Sequence, residues 1–118
     1  MAMTDVSILG EFEQVVLLAI LRLGDDAYAV SIRDEILECT GRDVARGSIY
    51  ITLDRLETKG YLKSRLADST PERGGRAKRY YELRPRAMEA LKEGRRALVA
   101  LWRGLESVLT CSGWSRGF

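Results

Sequence analysis

Val15-Val16-Leu17-Leu18-Ala19-Ile20-Leu21 is an unbroken apolar run inside a segment, Gly10 to Leu23, that reads as one helix stopping at Gly24-Asp25-Asp26. A helix that is apolar on all sides has to be buried on all sides. The run is the longest apolar stretch in the chain and too short to cross a bilayer. A chain of 118 residues builds one small core, which cannot enclose a helix completely. The run therefore predicts two neighbours, the chain's own core and a second copy of the chain, with Val16 and Ile20 at the second contact.

Two further short helices are expected. Tyr28 to Cys39 places Tyr28, Ile32 and Ile36 on one face, with Arg33, Asp34 and Glu38 on the other, and Thr40-Gly41 stops it. Val44 to Lys59 carries Ile49, Leu53 and Leu56 inward and ends at Gly60. Ala45 stands where a capping Ser or Asp would be expected. Two strands follow, Leu62 to Leu66 with Leu62 and Leu66 on one face, and the tyrosine-rich Ala77 to Leu83. The loop between them, Ala67 to Arg76, contains Pro71 and Gly74-Gly75 and is a turn, so the strands form a hairpin. From Pro85 to Leu109 a long helix is expected, with Met88, Leu91, Gly94, Leu98, Leu101, Leu105 and Val108 at alternating spacings of three and four, a heptad seam. Gly94 marks either a close helix approach or a bend. Leu91, Leu98, Leu101, Leu105 and Val108 are the residues this seam offers to a dimer.

The fold class is mainly α with a small β-hairpin: a winged helix-turn-helix over 10–84, followed by a dimerisation helix over 85–109. Residues 1–9 read as a loose lead-in and 110–118 as a tail. In a helix-turn-helix the second helix of the pair lies in the DNA major groove. The outward positions near the start of that helix are expected to be Ser48, Ile51, Thr52 and Arg55. Ser and Thr can bond bases or phosphates, Ile51 can touch a thymine methyl, and Arg55 can pair with phosphate or guanine. Tyr50 is placed to bond a phosphate through its hydroxyl, and Arg46 to add a phosphate contact. An amphipathic helix with a wet face could carry the same residues and no DNA. The hairpin shifts that balance, because Arg73, Arg76, Lys78 and Arg79 concentrate positive charge beside flexible glycines, and no acid lies between Arg73 and Arg79. Such a loop follows the backbone or enters the minor groove.

Composition adds little. Nineteen Lys and Arg against seventeen Asp and Glu leave a net charge of +2, too small by itself to indicate nucleic acid. With no histidine, no nucleophile motif and no phosphate loop after a strand, enzymatic activity is not expected. Cys39 and Cys111 fit no zinc spacing and read as small, inert, partly buried residues in a reducing, cytoplasmic setting. No cofactor, metal, secretory signal or membrane contact is expected. The rival reading is a winged helix that docks an acidic protein surface and has no operator, since the fold alone does not fix function.

Leu9-Gly10-Glu11-Phe12-Glu13, Gly24-Asp25-Asp26-Ala27-Tyr28, the stretch Gly47-Ser48-Ile49-Tyr50-Ile51-Thr52-Leu53-Asp54-Arg55-Leu56-Glu57-Thr58-Lys59-Gly60, and Glu72-Arg73-Gly74-Gly75-Arg76-Ala77-Lys78-Arg79-Tyr80-Tyr81 closely resemble PadR-like transcriptional regulators. The resemblance implies a bacterial dimeric winged helix, usually a repressor, in which Tyr50 and its neighbours meet double-stranded DNA. It implies the short class, whose single C-terminal helix packs against the partner's N-terminal helix. Some short members bind flat aromatic compounds between dimer-related tryptophans, so Trp102 either lines an effector pocket or packs the interface. The chain departs from the pattern at Ala45-Arg46, where members often have Ser-Pro, and its tail matches nothing in the family.

Overall fold

The computed structural model describes residues 9–67 and 78–110. Residues 1–8, the tip of the hairpin with Arg73 and Arg76, and 111–118 with Cys111 lie outside the described residues, while Leu9, expected in a loose lead-in, is buried in the core. Helix α1 spans Glu11–Leu23, a 3-10 turn Gly24–Asp26, α2 Ala29–Thr40, α3 Arg46–Thr58, β1 Leu62–Leu66, β2 Arg79–Leu83, α4 Pro85–Trp102 and α5 Glu106–Thr110.

The inward stripes meet as the periodicity requires. Val16, Leu17 and Ile20 of α1 pack with Ile32 and Ile36 of α2, Ile49, Leu53 and Leu56 of α3, Tyr61 and Leu62, and Ala87 and Leu91 from the start of α4. Val16 and Ile20 are thus enclosed by the chain's own core and are not available to a partner, whereas Leu91, mostly buried, still borders an apolar groove between α1 and α4. The large apolar α1 residues that stand in solvent are Leu18 and Leu21, one step round the helix. An all-apolar run gives no phase, so the sequence could not tell which of its sides looked inward.

Local chemistry accounts for the helix ends. The Gly10 amide donates to Glu13 Oε1 at 2.9 Å and so satisfies one orphan group at the start of α1. The Tyr28 amide donates to Ser31 Oγ at 2.9 Å at the start of α2. Ala45 offers α3 no side-chain cap. The approach to α3 is held instead by Arg33, whose Nε donates to the Val44 carbonyl at 2.7 Å while Nη2 lies 3.2 Å from Asp43. Pro85 occupies the first turn of α4, where its missing N–H costs nothing.

Strands β1 and β2 are antiparallel, pairing Leu62 with Leu83, Ser64 with Tyr81 and Leu66 with Arg79. The segment after the 3-10 turn adds a third edge: the Tyr81 amide donates to the Ala27 carbonyl at 2.9 Å, and Tyr28 bridges to Tyr80. The face carrying Leu62 is buried at that end only. Leu66, expected to follow Leu62 inward, is exposed because the strands run past the end of the core.

The last helix departs most from expectation. It stops at Trp102, turns through Arg103 to Leu105, and resumes as the short α5. Gly104 makes the break possible at φ 87°, a conformation that costs an L side chain free energy. The Leu105 amide donates to the Trp102 carbonyl at 2.7 Å and the Gly104 amide to Glu106 Oε1 at 3.0 Å. The seam therefore is not one continuous stripe from 85 to 109, and Leu105 and Val108 lie beyond the turn. Gly94 is a close approach and no bend: a Cβ there would meet Gln14 Oε1 of α1 at 3.2 Å.

Candidate nucleic-acid interface

Helix α3 follows α2 after a brief turn and is seated by Ile49, Thr52, Leu53 and Leu56, all buried. Its opposite side, at the N-terminal end, presents Arg46, Ser48, Tyr50 and Ile51 to solvent, with Ile51 60% exposed. An exposed β-branched residue on an otherwise polar helix face is suited to apolar contact with a thymine methyl. Thr52 is not among these residues. It is 4% exposed, because position 52 falls three after Ile49 and inside the helix's inward stripe. Arg55 is exposed but turned toward α1, with Nη1 3.9 Å from Glu13 Oε2.

The start of α2 and the hairpin wall the same region. Tyr28, Ala29, Val30, Arg46, Tyr50, Asp54, Leu66, Lys78, Arg79 and Tyr81 border an open hollow of about 550 Å³. Two cations reach it from the hairpin. Lys78 Nζ sits 4.0 Å from the centre of the Tyr28 ring, and Arg79 Nη1 donates to Ser64 Oγ at 3.1 Å. The rings of Tyr28 and Tyr80 meet edge to face at 5.4 Å, and Arg65 lies over Tyr80 with Cζ 4.9 Å from the ring centre. This cation and aromatic stack fixes the base of the hairpin against α2, so Lys78 and Arg79 have a defined position relative to α3. Burial pushes the Tyr81 phenol above its ordinary range, which keeps it a neutral donor at the floor of the hollow.

Several residues at this hollow escaped the sequence reading. The four-residue spacing groups Tyr28 with Ile32 and Ile36, and alternation groups Leu66 with Leu62, so neither pattern points to this hollow. Asp54 lies one turn beyond Tyr50 on the same side of α3, and that helical spacing was the signal that could have found it. Cys39 lies elsewhere and is exposed, where partial burial was expected. A hydrogen bond to Glu35 at 3.4 Å raises its thiol above the ordinary value, which reduces its nucleophilic form. Among the described residues no group of three or more metal-ligating side chains occurs.

A family model described as the transcriptional regulator PadR-like family matches residues 17–93. The chain belongs to this PadR-like family. Its fold is similar to that of a PadR-like transcriptional regulator from Bacillus cereus, with a TM-score of 0.67 at 20% identity over 86% of this chain and 93% of that one. A PadR family transcription regulator from Clostridium difficile aligns with a TM-score of 0.61 at 23% identity, covering 84% of this chain and 95% of that one. A PadR family regulator from Eggerthella lenta gives 0.64 at 22% identity, covering 84% and 86%. No curated protein matches the chain at a significant level. As a PadR-like protein the chain is a DNA-binding transcription regulator and not an enzyme. Among the described residues no helix of this PadR-like chain is long and apolar enough to cross a membrane.

Proposed function

We propose that this PadR-like chain acts as a homodimer that sets two copies of α3 in successive major grooves of a pseudo-palindromic operator and represses transcription there. The observation that carries the reading is the join between two exposed surfaces. The N-terminal face of α3, with Arg46, Ser48, Tyr50 and Ile51, continues into the cations of the hairpin, Lys78 and Arg79, around one hollow. Phosphate contacts from Arg46, Tyr50, Lys78 and Arg79 set the register, and Ser48 and Ile51 read base edges. Arg73 and Arg76 extend the same charge along the hairpin sequence. Residues 10–84 then form the DNA-binding unit, and a cytoplasmic location follows from that role.

Dimerisation is supported by the far half of α4. Every residue from Arg95 to Trp102 is exposed, although Leu98, Val99, Leu101 and Trp102 are large and apolar. With Leu18 and Leu21 of α1 and with Met88, the side chains of Leu98, Val99 and Trp102 line an apolar groove of about 350 Å³. Such a patch on a small chain marks an interaction surface, and a second copy supplies a matching helix by symmetry. Leu105 and Val108 serve it from beyond the turn. Trp102 borders this groove, and a small aromatic effector, if the regulator takes one, stacks there.

The test is binding of the purified dimer to labelled fragments from its own promoter region at two salt concentrations, against random DNA. Selective binding that weakens steeply with salt is the expected result. A folded dimer that binds neither DNA would favour the protein-docking reading. Quenching of tryptophan fluorescence by planar compounds, abolished by Trp102→Phe, tests the effector.

A further inference from the structure

The C-terminal end of the recognition helix is gripped from two sides. Glu13 is the buried charged side chain among the described residues, at 8% exposure. While Oε1 accepts the Gly10 amide, Oε2 lies 3.3 Å from Lys59 Nζ and 3.9 Å from Arg55 Nη1, both on the last turn of α3 or its cap. The carboxylate thus sits at the positive end of α1 and draws in cations from the negative end of α3, a favourable arrangement at both termini. From the opposite side Arg86, on the first turn of α4, donates from Nη1 to the Lys59 carbonyl at 2.8 Å, and its guanidinium covers the Tyr61 ring with Cζ 4.8 Å from the centre. Helix α3 is therefore tied by hydrogen bonds and charge to α1 and to α4, the two helices that carry the exposed apolar groove.

A buried charge that loses its partners is destabilising, whereas an apolar replacement of the whole set is often tolerated. Stability alone therefore does not account for ionic ties at this place. The packing of Ile49, Leu53 and Leu56 seats the inward face of α3, but a single apolar stripe constrains rotation and sliding less sharply than it does when hydrogen bonds also hold the helix end. Directional bonds from two neighbours supply that restraint. We infer that Glu13 and Arg86 are positioning residues for DNA recognition: they fix the pose of α3 on the α1 and α4 scaffold and, through the dimer, the spacing of the two recognition helices. The inference rests on the dimeric DNA-binding reading above. It also reassigns Arg55, which is held by Glu13 and takes no part in base or phosphate contact.

The experiment uses the full chain. Wild-type protein selects duplexes from a randomised pool, and anisotropy then gives its affinity for the selected duplex, for the same duplex with one base pair inserted between half-sites, and for random duplex. The variant is Glu13→Gln with Arg86→Met, which keeps the wild-type net charge and an acceptor for the Gly10 amide. Arg86→Lys, which retains a donor for the Lys59 carbonyl, is the rescue. The double variant is expected to remain dimeric in sedimentation and to bind random duplex within about twofold of wild type. On the selected duplex it is expected to lose about tenfold, comparable to losing one base contact, and to discriminate less against the inserted base pair. Arg86→Lys should restore most of this. Unchanged affinity and spacing discrimination would overturn the inference. So would equal losses on selected and random duplex in step with a lowered melting temperature, since that is a purely structural role. If wild-type protein selects no sequence, the DNA-binding reading itself fails, and the inference with it.

Discussion

Replacing Arg46 and Arg79 together by Gln separates phosphate contacts from structural cations. Arg46 opens α3 and is exposed. It lies at the positive end of that helix, so its loss does not weaken the helix dipole interaction. Arg79 Nη1 donates to Ser64 Oγ, and a guanidinium has donors to spare for a phosphate. In a dimer the two substitutions remove four cations from the DNA face. Each phosphate neutralised contributes about 0.9 to the slope of log K against log salt, so the slope should flatten by about 3.6. Between 50 and 200 mM salt the wild type should lose roughly a hundredfold more affinity than the variant. Fluorescence anisotropy on a fixed duplex across that range measures both slopes. The comparison is Arg55→Gln, which removes a cation of equal charge that Glu13 holds at 3.9 Å; its slope should move by well under one unit per protomer. A slope that does not change in the first variant would remove Arg46 and Arg79 from the interface, and one that flattens equally in both would show that the cations act only through net charge.

Four other outcomes follow from the geometry. Thr52→Val should leave sequence preference in a randomised-pool selection unaltered, since Thr52 is buried beneath the face proposed to meet DNA. Leu98→Asp should yield a folded monomer in sedimentation, because the side chain is already 52% exposed within the chain, whereas Ile20→Asp, at 2% exposure, should abolish the circular dichroism of the fold. Gly94→Ala should raise the melting temperature by a few degrees: helix propensity favours Ala by about 0.5–1 kcal/mol, and the contact it makes at 3.2 Å is with the flexible end of Gln14. The Arg22 ion pair at 2.7 Å holds the Glu35 carboxyl below its ordinary value of 4.5. A depressed folded value means stability present above pH 4.5 that is lost as pH falls through the lower folded value, so the melting temperatures of wild type and Glu35→Gln should converge below that point.

The parts of the fold that were legible from sequence are those where one residue type repeats at one period. Ile32 and Ile36, or Ile49, Leu53 and Leu56, each name a face, and polar neighbours name the opposite one. Where polar neighbours are missing, as in Val15 to Leu21, the helix is evident and its orientation is not. This is why Val16 and Ile20 were expected at a partner when the core had claimed them. Thr52 failed in the opposite sense: its hydroxyl suggested solvent, while its position three residues after Ile49 required the interior. Periodicity outweighs side-chain polarity when the two conflict on a packed helix.

The candidate site was legible where it lay along one element and illegible where it arose between elements. Arg46, Ser48, Tyr50 and Ile51 could be read along α3. The hollow that Arg46 and Tyr50 share with Tyr28, Leu66 and Lys78 exists only because the hairpin folds back onto the start of α2, at Tyr28 and Tyr80. The same holds for the grip on α3. Glu13 and Lys59 are 46 positions apart, and no local pattern connects them. Contacts of this range join the surface proposed to read DNA to the helices that carry the exposed apolar groove. An isolated recognition helix could carry every base-reading side chain of this protein and still bind without register. In the proposed dimer the distance between two such helices depends on how firmly each is fixed to the scaffold, and here the buried Glu13 carboxylate and Arg86 add directional ties to the packing of Ile49, Leu53 and Leu56.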